Sequence, residues 1–251
     1  MNNERPTAFE CVCASGCERC EVYTAPIALG MLDEDRGPYV QVGRGTAWFS
    51  FTPRPSDVRF EHLAALRNVC RYGGHTREFY SVAEHAVRVA WCLRDLGASA
   101  AECFGGLHHD SHEAYPPGDQ LGPFLRAMKS PAACALLGLT PAAFEGVLEV
   151  ERQSKWSVRS ALGLLDVFDA PASADRIKRA DMVLLATERR DLMAPSDVDW
   201  GALPDPLPGR IVPWSADEAW RQFVATHESL CAALGRPLPA REGSLGTEVR
   251  A

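Results

Sequence analysis

The chain has 251 residues, 46% of them hydrophobic and 24% charged, and its formal net charge is -7. An acidic chain of ordinary globular composition is not built to grip nucleic acid backbone, although local arginines can still meet small anions. No run approaches the roughly 20 apolar residues of a membrane span, and Cys and Glu interrupt the N-terminus where a secretory signal would be apolar.

The nine cysteines are an odd number, and Cys70, Cys92, Cys103, Cys134 and Cys231 are scattered among apolar or helical stretches. That pattern suits buried thiols in a reducing compartment, so a cytoplasmic location is expected. Residues 1–45 form a Gly-, Pro- and Cys-containing extension. Within it Cys11, Cys13, Cys17 and Cys20 have a spacing whose last pair matches a zinc knuckle; a structural zinc and an exposed, unstructured tail are both compatible with it. Residues 46–236 read as one mostly helical domain, and 237–251 as a disordered tail.

Tyr39–Val42 and Ala47–Phe51 are β-prone and separated by Gly43 and Gly45, which predicts a short hairpin. Asp57 is placed to cap a helix from Val58 to about Cys70, with Phe60, Leu63, Leu66 and Val69 along one side. Ser81-Val-Ala-Glu84 reads as a capping box opening a helix that runs to about Leu96. A third helix is expected over roughly 100–114, ending before Pro116-Pro117-Gly118. Weaker helical pieces follow over 121–137, then a helix from Thr140-Pro141 to about Arg159. Ala174–Met193 is strongly helical, the proline-rich 194–214 is a connector, and Ser215 caps a last helix to about Leu234. The fold class expected is all-α.

The densest chemistry lies in Leu107-His108-His109-Asp110-Ser111-His112-Glu113. Imidazoles beside carboxylates suit a divalent transition metal. If His109 is helical, Glu113 follows one turn later on the same face, so a ligand and a base share one pocket. His85 shares a stripe with Val82, Val89 and Cys92 and should point inward, either as a ligand or as a core histidine bonded to a carbonyl. Asp181 lies on the line Ile177, Asp181, Leu184, Glu188, and a carboxylate among aliphatic neighbours costs several kcal/mol unless paired or metal-bound. Lys178 and Arg179 are the alternative partners, but the pattern sends them to other faces. Two imidazoles and two carboxylates around one ion leave positions open for water and a substrate oxygen, as a hydrolytic site requires.

The order H…HD…D resembles the HD-domain metal-dependent phosphohydrolases. The similarity is closest to the branch containing bacterial 5'-deoxynucleotidases and phage dATP triphosphohydrolases. The matching stretches are Arg67–Thr76, Phe79–His85, Leu107–Tyr115, Gly118-Asp119, Ile177–Asp181, Thr187–Met193 and Trp214–Trp220, within roughly residues 45–235. The resemblance implies an HD-domain helical bundle binding one divalent transition metal ion (Zn, Co or Mn) through His85, His109, Asp110 and Asp181. It implies that Glu113 activates water or relays its proton, that Arg71 holds the substrate phosphate, and that Asp119 lies near the sugar. Pro116-Pro117 adds one residue ahead of that Gly-Asp, and Arg126 stands where the relatives tend to carry Lys. His75, His108 and His112 either line the pocket or are ordinary polar helix and loop residues, the second being favoured.

The activity implied is cleavage of the 5' phosphoester of (deoxy)nucleotides, either 5'-deoxynucleoside monophosphates or dNTPs. The partner is a small-molecule nucleotide, with no nucleic acid or membrane, and self-association is implied by resemblance alone. Two other readings stand beside it: a nucleotide-binding or sensing protein without turnover, and a zinc-organised interaction module built on the N-terminal cysteines.

Overall fold

A computed structural model describes residues 52–238, together with the backbone of two short strands, β1 (Tyr39–Val42) and β2 (Gly45–Trp48), which pair antiparallel. The four-cysteine stretch at Cys11–Cys20 and the end of the expected tail lie outside the described residues.

The described body is helical. Its α-helices are α1 (Val82–Asp95), α2 (Ala100–His108), α3 (Gly122–Met128), α4 (Pro131–Leu136), α5 (Ala142–Ala161), α6 (Leu165–Asp169), α7 (Pro171–Leu192) and α8 (Ala216–Ala233). None is long and apolar enough to cross a membrane. Helix α1 is the hub, packing on α2, α7 and α8. It is buried on nearly every face, from Val82, Ala83 and Ala86 to Val87, Val89, Ala90 and Leu93. That is the pattern of a helix enclosed by others, not of one resting on a surface. Each fully buried Val or Leu there contributes about 1.5–3 kcal/mol.

Two glycines let α2 enter this packing. A Cβ on Gly105 would lie 2.7 Å from Ile177 Cδ1 on α7 and 3.0 Å from Val167 Cγ1 on α6. A Cβ on Gly106 would collide with Leu93 Cδ1 and sit 3.3 Å from Val89 Cγ1 on α1. The glycines lower helix propensity, but they bring the end of α2 against the two helices that carry His85 and Asp181.

Several local expectations change. Phe60–Arg67 is a 3₁₀ helix, not an α-helix, and Leu63 and Leu66 are its buried residues. The spacing Phe60, Leu63, Leu66, Val69 is three throughout, which matches three residues per turn better than 3.6. Asp57 does not cap this segment: its carboxylate accepts from the backbone N–H and guanidinium of Arg54. Only half of the Ser81 box forms. Ser81 Oγ accepts from Glu84 N at 3.1 Å, but the buried Glu84 carboxylate turns instead to Arg88 at 2.7 Å and Trp214 N at 2.8 Å. A full box appears at Ser99 and Glu102, opening α2. Helix α2 stops at His108, and Ser111–Ala114 is a separate 3₁₀ turn, so Glu113 is not one α-helical turn beyond His109. Pro141, in helical conformation, precedes α5, and Thr140 contributes its carbonyl, which accepts from Ala143 N, instead of a side-chain cap. The last helix begins as expected, with Ser215 Oγ accepting from Glu218 N.

Candidate metal centre

His85 comes from the N-terminal part of α1, His109 from the end of α2 and Asp181 from α7; the three offer ligand atoms that all lie within 4.8 Å of one another. His85 Nε2 is 3.3 Å from His109 Nε2 and 3.3 Å from Asp181 Oδ1. Asp110 joins them, its Oδ2 being 2.9 Å from His109 Nε2 and 3.9 Å from His85 Nε2. All four residues expected to be ligands therefore meet.

The other nitrogen of each imidazole is committed. His109 Nδ1–H donates to Gly106 O at 2.7 Å, and His85 Nδ1–H donates to Glu188 Oε1 at 2.5 Å. Both tautomers are thereby set with the Nε2 lone pairs facing each other and the carboxylates. Facing lone pairs at contact distance repel unless a proton on His85 or a metal ion lies between them. Ligands about 2.1 Å from a shared ion are themselves about 3.0–3.4 Å apart, close to the spacing here. The donor set fits a divalent transition metal, with carboxylate–imidazole support behind it.

Glu188 had no role assigned from sequence. It is fully buried, one face of α7 carrying it with Asp181, and it collects Tyr80 Oη at 2.9 Å, Tyr72 Oη at 2.5 Å and Arg71 Nη2 at 3.3 Å, besides His85. Burial pushes its carboxyl up, but His85 and Arg71 outweigh that and hold it down at about 2. Conversely, burial and Arg71 push His85 down, yet Glu188 and Asp181 prevail and raise it to about 9. This surrounding of the shell demands positive charge.

The pinched loop that supplies Arg71 and Tyr80 is closed by Arg71 N–H donating to Tyr80 O and Val82 N–H donating to Val69 O, each at 3.0 Å. Tyr72 turns the chain with φ 56°, a left-handed conformation costing a bulky residue about 1–2 kcal/mol. Its hydroxyl's bond to Glu188 holds that turn. Arg71 bridges Glu188 and Asp110, with Nη1 3.4 Å from Asp110 Oδ2, while its Nε is buried and meets no partner among the described residues.

Asp181 corrects one expectation. Lys178 does reach it, Nζ donating to Oδ2 at 2.8 Å, while Oδ1 remains on the histidine side. The lysine side chain is 69% exposed. A surface contact of that kind contributes well under 1 kcal/mol and leaves the inner oxygen to the cluster.

Glu113 Oε2 is buried without a hydrogen-bond partner among the described residues. Burial, then Asp110 and Asp119, push its carboxyl well above the usual range, against the pull of Arg71 and Lys155. Burial likewise raises Asp119, opposed by Arg71 and reinforced by Asp110, so Asp119 belongs to the same electrostatic neighbourhood.

His108 is core. Its Nδ1 lies 2.9 Å from Ser111 Oγ and its Nε2 2.9 Å from His227 Nδ1, whose Nε2 faces Cys231 Sγ at 3.3 Å. His112 is also buried, but its Nδ1 has no partner among the described residues. The thiols of Cys92, Cys103, Cys134 and Cys231 are buried and free, and Cys70 is half-buried.

No family model matches the chain. Over 179 residues it is 29% identical to the uncharacterized protein YfdR of Escherichia coli, an alignment that takes in 69% of this chain and 85% of that protein.

Proposed function

We propose that the protein is a metal-dependent phosphohydrolase of the HD-domain type that cleaves the 5' phosphoester of (deoxy)nucleotides. The observation that carries this reading is the meeting of His85, His109, Asp110 and Asp181 beside a buried, unpartnered Glu113 carboxyl oxygen and the half-satisfied guanidinium of Arg71. The resemblance of the ordered H…HD…D set and its flanking residues supports the same assignment.

His85, His109, Asp110 and Asp181 would hold one divalent ion, Zn, Co or Mn. When bound, such an ion supplies Lewis acidity toward a phosphoryl oxygen and lowers the pKa of a water. Glu113 takes the attacking water's proton; a carboxyl raised from its ordinary value sits nearer the operating pH of a general base. Arg71 binds the phosphate through donors that Asp110 and Glu188 occupy only at 3.3–3.4 Å, and its fork suits an oxyanion. Asp119 lies on the sugar side. Water forms the new bond to phosphorus, the P–O5' bond breaks, and the nucleoside oxygen leaves and is protonated. A monophosphate yields nucleoside and phosphate; a triphosphate yields nucleoside and triphosphate.

The test is to incubate metal-loaded protein with each dNMP and dNTP and identify the products. Nucleoside release supports the reading. Release of pyrophosphate, or tight binding with no release from any nucleotide, sinks it.

A further inference from the structure

Tyr72 is held in its left-handed turn together with Gly73, at φ 56° and 60°. Such a conformation persists at a bulky residue only where the surroundings over-determine it. One restraint is the bond from its hydroxyl to Glu188 at 2.5 Å. That bond fixes the end of the side chain but leaves the ring free to swing about it. The ring is held by a residue from outside the metal centre.

The connector between α7 and α8 supplies it. Its later part is tied to α7, Leu207 N donating to Thr187 Oγ1 at 2.9 Å and Ile211 N to Asp191 Oδ2 at 2.8 Å. Upstream, Arg189 Nη2 donates to Val198 O at 3.0 Å, and the same guanidinium lies over the Trp200 ring, 5.2 Å from its centroid. Gly201 N–H donates to Asp199 Oδ1 at 2.8 Å and turns the chain at this point. Trp200 thereby faces Tyr72, with ring centroids 6.1 Å apart and planes inclined at 46°. On the other side, Arg71 Cζ lies over the Tyr72 ring, 5.3 Å from its centroid. Each cation faces a ring and the two rings face each other, and each of these contacts is attractive. Val198, two residues earlier, is 60% exposed, whereas Trp200 is half-buried. The segment leaves one apolar side chain in water and turns the other onto Tyr72. Anchoring the connector does not require this, because Arg189 already holds the Val198 carbonyl.

We propose that Trp200 is a positioning residue for the metal site: packed against Tyr72, it keeps the Tyr72 hydroxyl on Glu188 and so keeps the Glu188 carboxylate on His85 Nδ1. The route runs from the Trp200 ring to the Tyr72 ring, from Tyr72 Oη to Glu188 Oε2, and from Glu188 Oε1 to His85. The inference rests on the metal-binding part of the proposed function and not on its substrate.

The test is chelator competition on the full chain for Zn²⁺, Co²⁺ or Mn²⁺, whichever the wild type binds most tightly. The proteins compared are wild type, Trp200→Ala, Tyr72→Phe, the double variant and Trp200→Phe. Tyr72→Phe removes one of several bonds on Glu188, so it should weaken the ion by about three- to tenfold, less than loss of the carboxylate itself. Trp200→Ala should weaken it by the same factor, and the double variant by no more than either single change, because all three break one route. Trp200→Phe keeps a ring against Tyr72 and should stay within about twofold of wild type. An unchanged affinity in Trp200→Ala or in Tyr72→Phe overturns the proposal. So does a double variant whose loss is the product of the two single losses, since Trp200 would then act by another route. A Trp200→Phe as weak as Trp200→Ala overturns it as well. Should Trp200→Ala not fold, Trp200→Leu keeps apolar bulk under the connector without a ring, and the same losses are expected of it. Turnover plays no part in this readout. A wild type that binds none of the three ions sinks the metal reading and this inference with it, whereas wild-type binding that Trp200 does not affect sinks the inference alone.

Discussion

Glu188 Oε1 accepts a 2.5 Å hydrogen bond from His85 Nδ1, joining the last turns of α7 to the N-terminal part of α1. The bond fixes which nitrogen of His85 faces Asp181 and His109, and Tyr72, Tyr80 and Arg71 hold the carboxylate that makes it. Carboxylates behind metal-ligating histidines typically contribute 10–100-fold in affinity. Glu188→Gln is therefore expected to weaken metal binding by about 10–100-fold, measured by competition with a chromophoric chelator. An unchanged affinity would detach Glu188 from the metal site.

Glu113 is placed differently, since its buried Oε2 makes no hydrogen bond to any of the described residues, the four expected ligands included. Glu113→Gln should leave the metal content of the purified protein unchanged while lowering kcat by about 10²–10⁴. Loss of metal in this variant would make Glu113 a ligand instead.

The helical class, the inward stripe of His85 and the caps at Ser81 and Ser215 were legible because they rest on local spacing and local hydrogen bonds. Elements resting on long-range contacts were not. Glu188 lay on the right line of α7, but its four partners are over a hundred residues away in sequence. Glu84 looked like the second half of a capping box until the connector brought Trp214 N to it. Lys178 stands three residues before Asp181, which makes the two neighbours on the surface of α7, so its stem reaches the outer oxygen where the expected separation of faces would have kept them apart.

Glu84 also ties the connector to α1, since Arg88 binds its carboxylate, the Val212 carbonyl and the face of Trp214 at once. Glu84→Ala leaves the Arg88 guanidinium and Trp214 N without their acceptor. A loss of about 3 kcal/mol in unfolding free energy is expected, read from urea denaturation at constant slope.

Gly106→Ala sets two effects against each other. Alanine improves helix propensity by about 1 kcal/mol, but its methyl would press into Leu93 and Val89 at the α1–α2 contact. Overpacking of that kind costs about 1–3 kcal/mol. Since Leu93 is 1% exposed and has nowhere to move, net destabilisation is expected, with weaker metal binding because Gly106 O orients His109. A thermal melt with and without metal checks both.

The His108–His227 pair predicts acid sensitivity. Burial lowers His227 to about 4, and burial then His227 lower His108 further below its ordinary 6.5. A histidine kept neutral in the fold takes its proton only on unfolding, so the stabilisation is complete above pH 6.5 and is lost as pH falls toward about 4. His227 alone accounts for on the order of 3 kcal/mol across that window. Urea unfolding at pH 7.5 and pH 5 should show about 2 kcal/mol of this loss in wild type and a smaller one in His227→Leu; equal slopes with pH would remove the pair from the account.

The most direct test of the central claim is to strip the protein of metal, add back Zn²⁺, Mn²⁺ or Co²⁺ in substoichiometric steps, and follow nucleoside release from dAMP and dATP together with bound ion. Release should rise in step with occupancy of one site per chain and be absent in Asp181→Ala at the same ion concentrations. Release from the metal-free protein, or a filled site that frees no nucleoside with any of the three ions, would contradict it.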